Sequence, residues 1–498
     1  MFLRIKNFIK NNWQILIAEL FLLASFFVFW GKFGDVMVDS FREIYIPLQM
    51  VDGNVIYKDI FVIYPPLSYL INAFLIKIFG NEINVLQTTG LLTSAGILYF
   101  TNKIAEIFLE KKYIFAILLF IISGLILSPN VFNSFLPYSF GILYGILFVL
   151  ISIYCALNKK YPLSYLFYSL AILCKFEFAL LLPALVFLSK KNNWKYNLLA
   201  LASPFLITGF VLTTMGVNLS DLKTVFSLIQ AISTSKILYI FYSYMGLTFQ
   251  LELFPVYLAN FIKFLIPINL LDSHYVLAWS FPAILISFIF RFKQLEYKEK
   301  FFIIASLLVS IKVFFALVLG SYGAYYLPLA LISLFILIPK NYRKVFLVLL
   351  ILWSLMIGFT NIKDLKTKKL KFNKVNEYIL QNTTEKDQVV IYPECLNINV
   401  LTNRKSDNKM YSLIPLYVET FGEDSILKRL EITKPEYIII NNYDTSLYYY
   451  EEFGKDYAQK VLKWIEENYT LETVIEDKWQ FKIYRSNQLL GKYAPLTN

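Results

Sequence analysis

Apolar runs of spanning or near-spanning length recur from Trp13 to Ile362, separated by short polar loops. A run of about 20 apolar residues is enough to carry a helix across a bilayer. The crossings read as 13–33, 85–108, 113–127, 138–157, 161–188, 194–215, 275–290, 301–319, 324–338 and 345–362. Leu67 to Phe79 is apolar but short, and reads as an interfacial helix started by Pro65 and Pro66. The segment 161–188 carries a lysine pair at each end, Lys159 with Lys160 and Lys190 with Lys191. A single helix cannot begin and end on one side, so this segment predicts two short helices or a re-entrant hairpin, with Lys175 and Glu177 at its apex. Counting it as a pair gives about eleven crossings.

Beyond about Asn373 the pattern changes. VVIYP (389–393), YIIIN (437–441) and FKIYR (481–485) predict strands, and KVNEYILQN, SILKRLEIT and DYAQKVLKWIEENY predict helices. The expected architecture is an α-helical polytopic membrane protein, 1–362, followed by a small soluble α/β domain, 363–498. The 216–273 segment has few charges and aromatic runs that suit an outer loop capping a cavity.

Charge adds orientation. The chain is 57% hydrophobic, 18% aromatic and formally +12, but its Lys and Arg gather in short loops between apolar runs, where the positive-inside rule places them. That places the N-terminus in the cytoplasm, as a retained signal-anchor helix, and the C-terminal domain outside the cell membrane; only the lysine-rich KDLKTKKLKFNK (363–374) disagrees. It also makes nucleic acid an unneeded partner. Cys155, Cys174 and Cys395 lie far apart, and His274 is the single histidine, so neither a disulfide framework nor a His-spaced zinc site is legible. No phosphate-binding glycine loop is present.

The candidate chemistry concentrates in 35–80, where Asp35, Asp39, Arg42, Glu43, Asp52 and Asp59 stand beside the membrane. A helix through Asp39 would put Arg42 and Glu43 on its face, three and four residues on. Ionisable groups in such a position point to function. Lys175 and Glu177 admit two readings: a buried ion pair that fixes packing, or an anion site for a lipid phosphate with Lys175 as point charge.

Asp39, Arg42 and Glu43 are followed in order by Tyr57-Lys58-Asp59, Tyr64-Pro65-Pro66-Leu67, Asn72-Ala73 and Phe79-Gly80. This order of short motifs resembles the GT-C superfamily of integral-membrane glycosyltransferases, nearest to bacterial aminoarabinose transferases, protein O-mannosyltransferases and lipopolysaccharide core-sugar transferases. Pro137-Tyr138, Lys175 with Glu177, and Tyr325-Tyr326-Leu327-Pro328 extend the resemblance over roughly 10–360. The acidic residue expected just before the prolines is absent, because Phe61-Val62-Ile63-Tyr64 stand there.

The resemblance implies a sugar donor on a polyprenyl phosphate and a hydroxyl acceptor on a glycan, lipid or protein, joined outside the cytoplasm. A sugar hydroxyl is a weak nucleophile, so a carboxylate base is needed, with Asp39 the leading candidate and Glu43 or Asp59 the second acidic position. The departing phosphate needs a cation, Lys175 or Arg42. Tyr64, Tyr138, Glu177, Tyr325 and Tyr326 complete the expected substrate-binding set. No cofactor is required by these residues, and a divalent metal stays open. A transporter or flippase of lipid-linked saccharides is the rival reading, and a membrane sensor a third.

Overall fold

The computed structural model describes residues 2–32, 39–129, 133–189, 194–223, 274–315, 323–367, 374–406, 409–448, 450–477 and 479–487. Asp35 and most of the expected outer loop at 216–273 lie outside the described residues. The chain divides into two compact units, one of 1–34, 64–211 and 243–369, the other of 35–63, 212–242 and 370–498.

The first unit is helical. Its helices run Phe2–Phe29, Leu67–Phe79, Glu82–Ala105, Lys111–Ile121, Phe140–Leu157, Tyr161–Cys174, Leu182–Ser189, Trp194–Thr214, His274–Arg291, Tyr297–Phe315, Leu327–Leu337 and Lys340–Thr367. Among the described residues four helical stretches are long and apolar enough to cross a membrane: Ile9–Phe29, Phe140–Leu157, Trp194–Thr214 and Lys340–Asp364. That corrects the expected count of about eleven. Some expected crossings are shorter apolar helices, such as Gly323–Leu337, and the run at 113–127 is an α-helix only to Ile121 before it widens into a π-helix, Ile122–Ile126. The apolar helices mark the chain as an integral membrane protein.

The expected interruption is present. Cys174 ends one helix, Lys175 is extended (φ −158°, ψ 126°), and Phe176–Leu181 forms a 3-10 helix leading into Leu182–Ser189. The freed backbone groups find partners, as they must away from water: Lys175 N–H donates to the Ala171 carbonyl at 2.9 Å, and the Tyr168 hydroxyl donates to the Ala179 carbonyl at 2.9 Å.

The second unit holds a four-stranded sheet in the order β1-β2-β4-β3, formed by β1 (Val389–Tyr392), β2 (Tyr437–Asn441), β3 (Tyr469–Glu476) and β4 (Gln480–Ser486). β1 and β2 are parallel, with Val389 opposite Tyr437, while β4 runs antiparallel to β2 and β3. Alternate strand residues face opposite sides. Val390, Ile438 and Tyr484 pack with Ile426, Leu430, Val461 and Ile465. On the other face Val389, Ile391, Ile439 and Ile483 pack with Val375, Ile379 and Ile398. The helix Asp39–Val51 and the turn after it belong to this unit: Phe61 N–H donates to the Lys409 carbonyl at 3.0 Å, and the Phe61 ring meets Tyr417 and Phe421 edge-on.

Candidate active-site residues

In the second unit, Asp39 occupies the first turn of the helix Asp39–Val51, where a carboxylate complements the helix dipole. The face expected from the spacing forms. Arg42 Nη1 lies 3.0 Å from Asp39 Oδ1, and Arg42 Nε 3.7 Å from Glu43 Oε1. Arg42 and Glu43 are buried, whereas the Asp39 side chain keeps 30% of its exposure. Glu43 is thus enclosed beside its cation, and Asp39 is the carboxylate of the pair that solvent can reach. Asp59 sits elsewhere in this unit. Its Oδ2 accepts the Val55 N–H at 2.9 Å, closing a small turn of the kind aspartate favours.

Two residues outside the expected set join this neighbourhood. Burial pushes the Tyr448 hydroxyl well above its ordinary pKa, and the charges of Glu394 and Asp39 add to the effect. The tyrosine therefore stays neutral. Tyr448 lies in a run of three tyrosines and Glu394 in the YPEC segment; neither has a spacing that ties it to Asp39, so only the fold unites them. Among the described residues no group of three or more His, Cys, Asp or Glu side chains is placed to hold a metal ion.

The first unit gathers the remaining candidates. Lys175 is buried, with Nζ 5.4 Å from the centroid of the Tyr138 ring, a cation–π distance. The Tyr138 and Tyr64 hydroxyls are 3.5 Å apart. The Tyr326 hydroxyl donates to Glu177 Oε1, and the Tyr325 hydroxyl donates to the Asn133 carbonyl at 2.8 Å. Lys175 thus has the Tyr138 ring beside it and Glu177 the Tyr326 hydroxyl. Sequence reading missed Asn133 and Tyr144. Asn133 Oδ1 accepts the Leu136 N–H at 2.8 Å and shapes the loop that bears Tyr138, while Tyr144 donates to Asn72 Oδ1 at 2.6 Å. The Asn72-Ala73 motif was the signal for the second contact.

No protein-family model matches the chain, and no curated protein matches it in sequence. Solved structures do resemble it. The Archaeoglobus fulgidus oligosaccharyltransferase, in complex with Zn and sulfate, is 12% identical, with a TM-score of 0.55 over 96% of this chain and 73% of that one. ArnT from Cupriavidus metallidurans, bound to undecaprenyl phosphate, is 9% identical, with a TM-score of 0.56 over 95% of this chain and 98% of that one. At such identities the likeness is one of fold alone, a fold this chain has in common with the oligosaccharyltransferase and with ArnT.

Proposed function

We propose that the chain moves a sugar from a polyprenyl-phosphate donor to a hydroxyl acceptor at the extracytoplasmic face of the cell membrane, with the N-terminus cytoplasmic. The observation that carries this reading is the fold held in common with ArnT over nearly the whole of both chains, in a structure where ArnT binds undecaprenyl phosphate. In this reading 1–362 supplies the membrane catalytic region and 363–498 an extracytoplasmic domain.

Each charged group then has a role. Asp39 takes the proton from the acceptor hydroxyl as its oxygen attacks the anomeric carbon. The bond from that carbon to the phosphate oxygen breaks, and the electron pair leaves with the polyprenyl phosphate. Direct displacement of this kind inverts the anomeric centre. The leaving anion needs a cation in place. Lys175, buried beside the Tyr138 ring, and Arg42, held by Asp39 and Glu43, are the two cations proposed for that part. Glu43, fully buried against Arg42, is a positioning residue for the pair. Tyr64, Tyr138, Glu177, Tyr325 and Tyr326 shape the surroundings of Lys175.

The test is incubation of purified protein with a labelled polyprenyl-phosphate sugar and cell-envelope acceptors. A new glycosidic bond, lost in Asp39→Asn while the protein is still made, is the expected result. Movement of the labelled lipid between leaflets without bond formation would make the chain a flippase. Normal transfer by Asp39→Asn would remove that residue as the base.

A further inference from the structure

Within the second unit, the helix Asp39–Val51 and the turn at Asp59 leave a cavity of about 420 Å³ against the sheet domain, lined by Tyr45, Gln49, Asn54, Asp59, Gln388 and Arg429 among others. Its walls are fixed. The Tyr45 hydroxyl donates to the Ser406 carbonyl at 3.3 Å, and Asn54 Nδ2 donates to Gln49 Oε1 at 2.7 Å. Asp59 is held by its own turn, and Gln388 N–H donates to Glu436 Oε2 at 2.7 Å. The recess is half open to solvent and largely polar, so it holds water that a ligand with matching hydroxyls can displace.

We infer that this cavity binds a neutral saccharide of one or two rings. Three observations carry the assignment. Its volume lies in the lower part of the range of about 300–1,000 Å³ found for small-molecule sites. Three side-chain amides, a carboxylate and a guanidinium supply planar donors and acceptors side by side, which suits neighbouring hydroxyls that each donate and accept. The lining contains one carboxylate, Asp59, and one guanidinium, Arg429, so its formal charges balance and it does not select for a charged ligand. Tyr45, Ile60 and Ile432 give the apolar surface that the C–H face of a sugar ring covers. A peptide would instead seek apolar pockets for its side chains. The inference is independent of the transfer reaction, because binding here requires no donor lipid.

The experiment uses the full chain in lipid nanodiscs, without donor, probed with glucose, galactose, mannose, N-acetylglucosamine and maltose by saturation-transfer NMR and calorimetry. At least one probe should bind saturably. Asn54→Ala and Arg429→Gln should each weaken that probe by about tenfold, the scale of one lost strong hydrogen bond, while Arg429→Lys should recover part of the loss. Thermal unfolding identifies which variants are folded, and either one suffices for the reading. Absence of saturable binding to every probe overturns the inference. So does saccharide binding that both folded variants leave unchanged, or a short peptide that binds at these residues where no saccharide does. Saccharide binding by a wild-type chain that forms no glycosidic bond with any donor would overturn the proposed function and leave this site standing.

Discussion

Arg42 bridges two carboxylates of its own helix, with Nη1 3.0 Å from Asp39 and Nε 3.7 Å from Glu43. Since Glu43 is fully buried, the consequence of losing Arg42 is greater than the attraction between the charges. Breaking a buried ion pair by removing one of its members costs about 3–5 kcal/mol. Arg42→Met should lose about 3 kcal/mol, the lower end of that range, detected as faster hydrogen exchange along Asp39–Val51. Arg42→Lys keeps the charge but not the fork, and should lose about 1 kcal/mol. Unchanged exchange in Arg42→Met would show that Glu43 does not depend on it.

Lys175 and Asp39 should separate kinetically. The donor phosphate is anionic before transfer and gains charge as it leaves, so its cation acts on KM as well as on kcat, whereas a base acts on kcat alone. Lys175→Met should raise KM for the polyprenyl-phosphate sugar by roughly ten- to a hundredfold, the worth of one charge-assisted hydrogen bond. Asp39→Asn should lower kcat by about 10²–10⁴. Steady-state rates at varied donor concentration distinguish the two. Unchanged KM and kcat in Lys175→Met would return Lys175 to a packing role over Tyr138.

Tyr326 is fully buried and donates its hydroxyl to Glu177. Tyr326→Phe removes the donor and should cost about 1–3 kcal/mol of stability. Glu177→Leu, which removes the acceptor, should in the same background show less than the sum of the two single effects, since both changes remove one interaction. Additive losses in a chemical denaturation cycle would mean that the hydroxyl and the carboxylate act separately.

The sequence carried the local signals and little of what joins them. The helix Leu67–Phe79 and the strand Tyr437–Asn441 have the ends that the pattern predicts, because prolines, a glycine and β-branched runs punctuate the chain at those points. The break at Lys175 was legible because opposite charges interrupt an apolar run bounded by like-charged loops. β3 was not: most of its residues face solvent, as the sequence YTLETVIE allows at a sheet edge, so no apolar run announced it. The pairing of Asp39–Val51 with the C-terminal sheet domain in one compact unit depends on contacts more than three hundred residues apart in the chain, such as Tyr45 with Ser406, and no local periodicity encodes them.

Gly90 tests the loop that carries Tyr138. A Cβ at Gly90 would overlap the backbone carbonyl oxygens of Ser134 and Phe135. Backbone atoms cannot swing aside as the end of a side chain can, so Gly90→Ala must displace the loop or the helix Glu82–Ala105. Overpacking of this kind costs about 1–3 kcal/mol. The variant should melt earlier, and in the transfer assay it should weaken donor use through the shifted Tyr138. A melting temperature equal to wild type would show that the loop yields freely.

Lys409 gives the second unit a pH dependence with a definite sign. Burial depresses its pKa, against the smaller opposing pull of Asp221 and Asp59, with Arg429 lowering it further. The folded state therefore holds this proton more weakly than the unfolded state. At pH below the depressed value Lys409 is charged in both states, and the cost of burying the ammonium is present in full. As the pH rises through that value towards the ordinary lysine pKa of about 10.4, the folded state releases its proton first and the cost fades. This contribution alone should make the unit more stable on going from neutral to alkaline solution. Lys409→Met should stabilise it at neutral pH and flatten that rise, since Phe61 bonds only the Lys409 backbone carbonyl and that bond survives the substitution. Denaturation of both proteins at pH 7 and pH 9.5 checks the prediction, and a less stable Lys409→Met at pH 7 would mean that attraction to Asp59 and Asp221 outweighs the desolvation of the ammonium.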